Sequence, residues 1–156
     1  MKSVYSENIG KIMYQKGMTQ ESLAKQSGLT RQTVNKVLGL GRKNIEDMSL
    51  ETAISISRAL DYNFPDLFSR NFDPNKASIY KEDNYLIIFT GNVKRIIKGK
   101  KQKLLSTSPG IQESTISDIL NENITNPKIS SLVSIANSIE KDLSILFTRG
   151  GHEDDI

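Results

Sequence analysis

The stretch MTQESLAKQSGLTRQTVNKVL, Met18–Leu38, places two short apolar-periodic runs on either side of a glycine. Leu23 and Ala24 mark the first run, and Val34 and Leu38 mark the second. Each is preceded by a threonine, Thr19 or Thr30, at the position where a side-chain oxygen caps a helix. The spacing predicts a helix over Gln20–Gln26, a tight turn centred on Gly28 and a second helix over Arg31–Leu38. Glycine at the turn lets the two helices cross steeply, because it reaches positive φ at little cost. Leu29 packs under the turn, and Val34 and Leu38 anchor the second helix in a core. Arg31, Gln32, Thr33, Asn35 and Lys36 are left facing outward, and none of them is acidic.

The periodicity outside this stretch is helical almost throughout. Ile9, Ile12 and Met13 share a face upstream; Ile56, Ala59 and Leu60 share one downstream. Ser49 is a further N-cap candidate and Gly17 a further helix stop. Pro65 suits the first turn of a last short helix, capped by Asn63 or Phe64. Five helices are therefore expected between about residues 5 and 69. The run Tyr85–Phe89 fits either a strand or the start of a helix. The aromatic residues Tyr5, Tyr14, Tyr62, Phe64 and Phe68 sit at core-like spacing.

The chain also resembles itself. With Gly28 set on Gly110, Leu23 meets Leu105, Leu29 meets Ile111, Thr33 meets Thr115, Val34 meets Ile116 and Leu38 meets Leu120. Ile9, Ile12 and Met13 match Val93, Ile96 and Ile97, if the first turn is shorter in the second copy. Downstream, Ile56, Leu60 and Leu67-Phe68 match Ile135, Ile139 and Leu146-Phe147. This predicts an all-α chain in four parts: a first domain at 1–69, a linker at 70–84, a divergent second copy at 85–149 and an acidic tail at 150–156. Phe72, Ile79 and Tyr80 are candidates to pin the linker to a domain.

Residues 9–68 resemble the lambda-repressor and Cro (Xre-type) family of helix-turn-helix DNA-binding domains. MTQESLAKQSGLTRQTVNKVL and SLETAISISRALDYNFPDLF carry the resemblance, two motifs in the right order. The resemblance implies two five-helix domains in tandem, with double-stranded DNA as partner. It implies that helix 3 enters the major groove, where Arg31, Gln32, Thr33 and Lys36 face base edges. Arg pairs bidentately with guanine and Gln with adenine; Asn35 belongs to the same outward set. It further implies Gln20 against a phosphate and bracing Gln32, Thr30 on the backbone, and Arg42, Lys43 and Asn44 on phosphates. The loop GLGRKNIEDMS departs from the family in its length and in its acids, Glu46 and Asp47.

In the second copy the outward positions become Glu113, Ser114, Thr115, Ser117 and Asp118, and Pro109 is expected to end the preceding helix early. Carboxylates close to phosphates weaken DNA binding. Six cations instead crowd into KRIIKGKKQK, Lys94–Lys103, which makes Lys100, Lys101 and Lys103 candidate backbone contacts. The alternative is a copy that no longer binds DNA and serves as a dimerisation or protein-binding surface, which is the favoured reading.

Composition narrows the remaining choices. The 156 residues carry a net charge of +3 and no cysteine. Residues 1–70 hold ten Lys/Arg against seven Asp/Glu, while residues 71–156 hold eleven of each. Thiolate metal sites and disulfides are excluded. His152, the one histidine, has no partner for a metal site or a catalytic triad. No phosphate-binding glycine motif is present. MKSVYSENIGK lacks an apolar signal region, and no apolar run spans a bilayer. The expectation is a cytoplasmic, cofactor-free, non-enzymatic, sequence-specific regulator, repressor-like and homodimeric. The rival is a protein-binding inhibitor or adaptor of antitoxin or phage anti-defence type on the same scaffold.

Overall fold

The computed structural model describes residues 3–39, 48–98 and 113–151, and its described residues form helices and no strands. The chain divides into two compact units, Met1–Glu82 and Asp83–Ile156.

The first unit contains α1 (Val4–Lys16), α2 (Gln20–Ser27), α3 (Arg31–Val37), α4 (Leu50–Leu60) and a 3-10 helix (Pro65–Phe68). The starts of the four α-helices are set by side-chain caps. Ser3, Thr19, Thr30 and Ser49 each accept a hydrogen bond from the backbone N–H three residues on, a device contributing about 1 kcal/mol apiece. At α2 the cap is reciprocal, with Ser22 Oγ accepting in turn from the Thr19 N–H at 3.0 Å. Gly17 and Gly28 end α1 and α2 with φ of 63° and 73°, where a Cβ would strain the chain. α3 ends one residue short of expectation, with Leu38 as its cap. The fifth helix is a 3-10 turn, and Phe64 provides no side-chain cap there.

Ile9, Ile12, Leu23, Val34, Ala53, Ile56, Leu60, Phe64 and Leu67 form the buried centre. Tyr5 stacks against Phe68 at 4.9 Å and donates its hydroxyl to Ala53 O at 2.8 Å. Burial pushes that hydroxyl well above the ordinary tyrosine range. Tyr14 corrects the expectation of a core role, for it is 92% exposed.

Residues 70–82 fold back on this unit. Phe72 is buried edge-on to Tyr62. The Asn63 N–H donates to Ser78 O, and the Tyr80 N–H to Asp61 Oδ1. Arg58 lies over the Tyr80 ring and forks onto Glu82 at 3.0 and 3.2 Å. Of the three residues expected to pin this segment, Phe72 and Tyr80 do so, whereas Ile79 is 72% exposed.

The second unit contains α5 (Tyr85–Ile96), α6 (Glu113–Leu120), α7 (Ile129–Ser138) and α8 (Leu143–Leu146). Tyr85–Phe89 thus begins a helix, capped by Asn84 Oδ1. Phe89, Val93, Ile116, Ile119, Leu132, Ile135, Leu146 and Phe147 fill its centre. Several details of the first unit recur. Asn8 Nδ2 donates to Leu67 O and Ser69 O, both at 2.9 Å. Asn92 Nδ2 donates to Leu146 O and Thr148 O, at 2.9 and 2.8 Å. Asp61 and Glu140 both leave the preceding helix in left-handed backbone, with φ of 59° and 56°. Around them Tyr62 N–H bonds Ser57 O, and Lys141 N–H bonds Ala136 O.

Candidate nucleic-acid interface

The exposed face of α3 rests on two fixed points, the turn before it and the core beneath it. The turn is held by the Leu29 N–H on Ala24 O at 3.1 Å and by Ser27 Oγ donating to Leu23 O at 2.7 Å. Leu29 itself is half-buried, and Ala24 is small and buried, which lets the two helices approach. Val34, Val37 and Leu38 are buried and fix the rotation of α3 about its axis. With that rotation set, Arg31, Gln32 and Lys36 point to solvent.

Thr33 and Asn35 depart from the outward set, since both are half-buried. The Thr30 hydroxyl accepts from the Thr33 N–H at 3.1 Å and shares a hydrogen bond with the Thr33 hydroxyl at 2.9 Å. Both hydroxyls are therefore engaged in the cap. Asn35 Oδ1 is buried without a hydrogen-bond partner.

Gln20 sits half-buried at the first position of α2. The α3 side chain that reaches this turn is Arg31, whose guanidinium stands 3.7 Å from the Glu21 carboxylate. The two side chains are 64% and 80% exposed, so the pair contributes little stability and yields readily to a stronger partner. Arg42 and Lys43, with the acids Glu46 and Asp47, lie outside the described residues, as do Lys100, Lys101, Lys103 and Pro109.

On α6, Ser114 is exposed, while Thr115, Ser117 and Asp118 are half-buried. The Asp118 carbonyl accepts from the Asn123 and Ile124 N–H groups at 2.8 and 3.2 Å, closing the turn after the helix. Pro127, Ile129 and Leu132 are buried at the start of α7.

A short, capped helix with an acid-free polar face, fixed by a glycine turn to the helix before it, has the geometry of a major-groove reader. Residues 8–73 match the Cro/C1-type HTH DNA-binding domain. This HTH domain runs past the 3-10 helix to include Phe72, so the match takes in part of the segment folded back on the first unit. It supports DNA binding by that unit. No curated protein matches the chain, and no solved structure does. Among the described residues, no helix is long and apolar enough to cross a membrane, and no group of three or more potential ligands could hold a metal ion.

Two features escaped the reading of the sequence. The pairing of Glu21 with Arg31 has no sequence signal, because it joins two helices. The role of Asn8 had one: Asn92 lies at the same offset that relates Ile9 to Val93.

Proposed function

We propose that the chain is a sequence-specific, repressor-like transcriptional regulator acting as a homodimer, in which α3 of the HTH domain reads the major groove. The observation that carries this reading is the solvent face of α3, where Arg31, Gln32 and Lys36 stand free of any acid on the same helix. Arg31 and Gln32 supply bidentate contacts to guanine and adenine. Lys36 adds charge beside the backbone, and Gln20 and Thr30 approach phosphates through the two helix starts. Arg42 and Lys43 extend the phosphate contacts. A dimer places two such helices about 34 Å apart along the duplex.

The second unit, in this reading, is a divergent copy of the first. The paired asparagines and the shared left-handed exits at Asp61 and Glu140 support it. Asp118 stands on α6 where the repeat puts Lys36 on α3, which favours contact with protein over contact with phosphate. Ile87, half-exposed on α5, is an apolar element for such a contact.

Selection of bound sequences from a random duplex library by the full chain, at stated salt, tests the proposal. Enrichment of a two-fold-related motif is the expected result. Absence of any enriched sequence overturns it and leaves the protein-binding reading in its place.

A further inference from the structure

Within the first unit an open cleft of about 600 Å³ runs between α1 and the α2–α3 pair. Among the described residues, Ser6, Gly10 and Met13 line it from α1, Met18 to Glu21 from the turn and the start of α2, and Arg31 and Leu38 from α3. Its volume lies in the range of small-molecule sites.

Two features of its α1 wall go unexplained by folding. Ser6 is only 2% exposed, yet its Oγ has no hydrogen-bond partner. An orphaned buried hydroxyl is costly and calls for a partner. One turn on, Gly10 sits in the middle of a helix, where glycine costs about 1 kcal/mol relative to alanine. A Cβ built there meets nothing within 4 Å, and Gly10 is not among the positive-φ glycines. Neither packing nor backbone geometry demands glycine. Its effect is to leave the cleft wall without a side chain beside the Ser6 hydroxyl.

The charges select among ligands. Arg31 and Glu21 both line the cleft, with opposite charges 3.7 Å apart. A simple anion drawn to Arg31 meets the Glu21 carboxylate, and a simple cation meets the guanidinium. A molecule with both charges close together satisfies the two. Met13, Met18 and Leu38 supply an adaptable apolar surface for its body.

We infer that this cleft binds a small zwitterion with an apolar body, of the α-amino-acid kind, and that its occupant withdraws Arg31 from DNA. The ligand carboxylate lies on Arg31, its ammonium on Glu21, its body on the methionines, and Ser6 Oγ gains a partner. The effect on DNA rests on the reading of Arg31 as a base contact; the site does not.

The test titrates the free, isotope-labelled full chain with L-leucine and with L-methionine, following amide resonances, with acetate and methylamine as single-charge controls. Saturable shifts at Ser6, Gly10, Glu21 and Arg31 are expected for the amino acids and much weaker ones for the controls. Gly10→Leu should weaken the response at least about tenfold, with its fold read from the same spectrum. Ser6→Ala, which removes the orphan without adding bulk, should weaken it too, and Lys11→Ala should not. No site-specific shift with either amino acid overturns the inference. So do shifts that survive both cleft variants, and shifts equally strong with acetate. A bound amino acid that leaves affinity for the selected duplex unchanged overturns the withdrawal of Arg31. Failure of the library selection removes the DNA reading alone, because the titration contains no DNA.

Discussion

α3 and α6 are helices of similar length, each packed on its unit by buried aliphatic residues, Val34 and Val37 in one and Ile116 and Ile119 in the other. Their polar sides differ in sign. α3 offers Arg31, Gln32 and Lys36, whereas the described polar residues of α6 are Ser114, Thr115, Ser117 and Asp118. Beneath them, the helix that opens each unit uses a buried asparagine to close the same kind of turn, Asn8 on Leu67 and Ser69, Asn92 on Leu146 and Thr148. The difference separates two kinds of constraint. Buried carbonyls such as Leu67 O and Leu146 O need a partner, and an asparagine supplies it in both units. A polar side costs the fold little to change, and there the two helices differ.

The largest effect should come from breaking the shared element. Asn8→Ala leaves two carbonyls without their donor and should cost the first unit about 2–4 kcal/mol. Asn92→Ala should do the same to the second. Denaturation followed by probes placed in each unit should show each variant lowering its own transition. Equal loss in both units from either variant would break the comparison.

The next effect concerns the faces. Arg31→Ala and Gln32→Ala should each weaken binding to the selected duplex by about 1–3 kcal/mol and relax specificity at one position. Asp118→Ala should leave that binding unchanged. Equilibrium binding measured at fixed salt distinguishes the two, and wild-type affinity in both α3 variants would show that the first unit is not the reader.

Tyr5 provides a smaller, pH-dependent contrast, because the helix that opens the second unit buries Phe89, which has no hydroxyl. The Tyr5 hydroxyl is buried and donates to Ala53 O, so folding holds it protonated and raises its pKa. Its contribution is complete below the unfolded value of about 10 and is lost as pH rises above it. Tyr5→Phe should lose about 1 kcal/mol at neutral pH while flattening the alkaline decline of the first unit. Unfolding followed against pH measures both changes.

The smallest effect is expected at the surface pairs. Glu82 is held by Arg58 and Asp83 by Arg149, the latter at 2.6 and 2.8 Å, so two adjacent acids fasten to different units. The hydrogen bonds from Arg58 hold the Glu82 carboxyl below its usual range. That contribution is present above the ordinary carboxylate pKa and fades as pH falls through the lower, folded value. Glu82→Gln should therefore raise amide exchange across residues 78–82 at constant pH, and acid should lower the protection factors there relative to intrinsic rates, without unfolding the helices. Exchange unchanged in the variant would show that Tyr80 packing alone holds the segment.

Much of the frame was legible because it rests on local chemistry. Thr19, Thr30 and Ser49 announced helix starts through hydroxyls that reach only three residues, and Gly17 and Gly28 announced stops through backbone that only glycine adopts cheaply. The aliphatic spacing fixed which side of α3 is buried, and with it the exposure of Arg31, Gln32 and Lys36. Tyr14 was misread because helical spacing alone does not say how far a core extends around α1. Asn35 was placed too far outward because it lies at the edge of the buried stripe, where a small rotation of the helix decides exposure. Asn8 passed unnoticed because its partners lie 59 and 61 residues away.

By itself the sequence determined helix starts and stops, the buried stripe and the polar residues left over, since each depends on neighbours within a turn or two. Only the tertiary structure decided which distant groups meet: Asn8 on the carbonyls of the 3-10 turn, Arg58 on Glu82, Arg31 beside Glu21, and Ser6 with Gly10 along one open cleft. Those contacts arise when separate helices pack, and packing is set by the shape of whole faces rather than by any short stretch of residues.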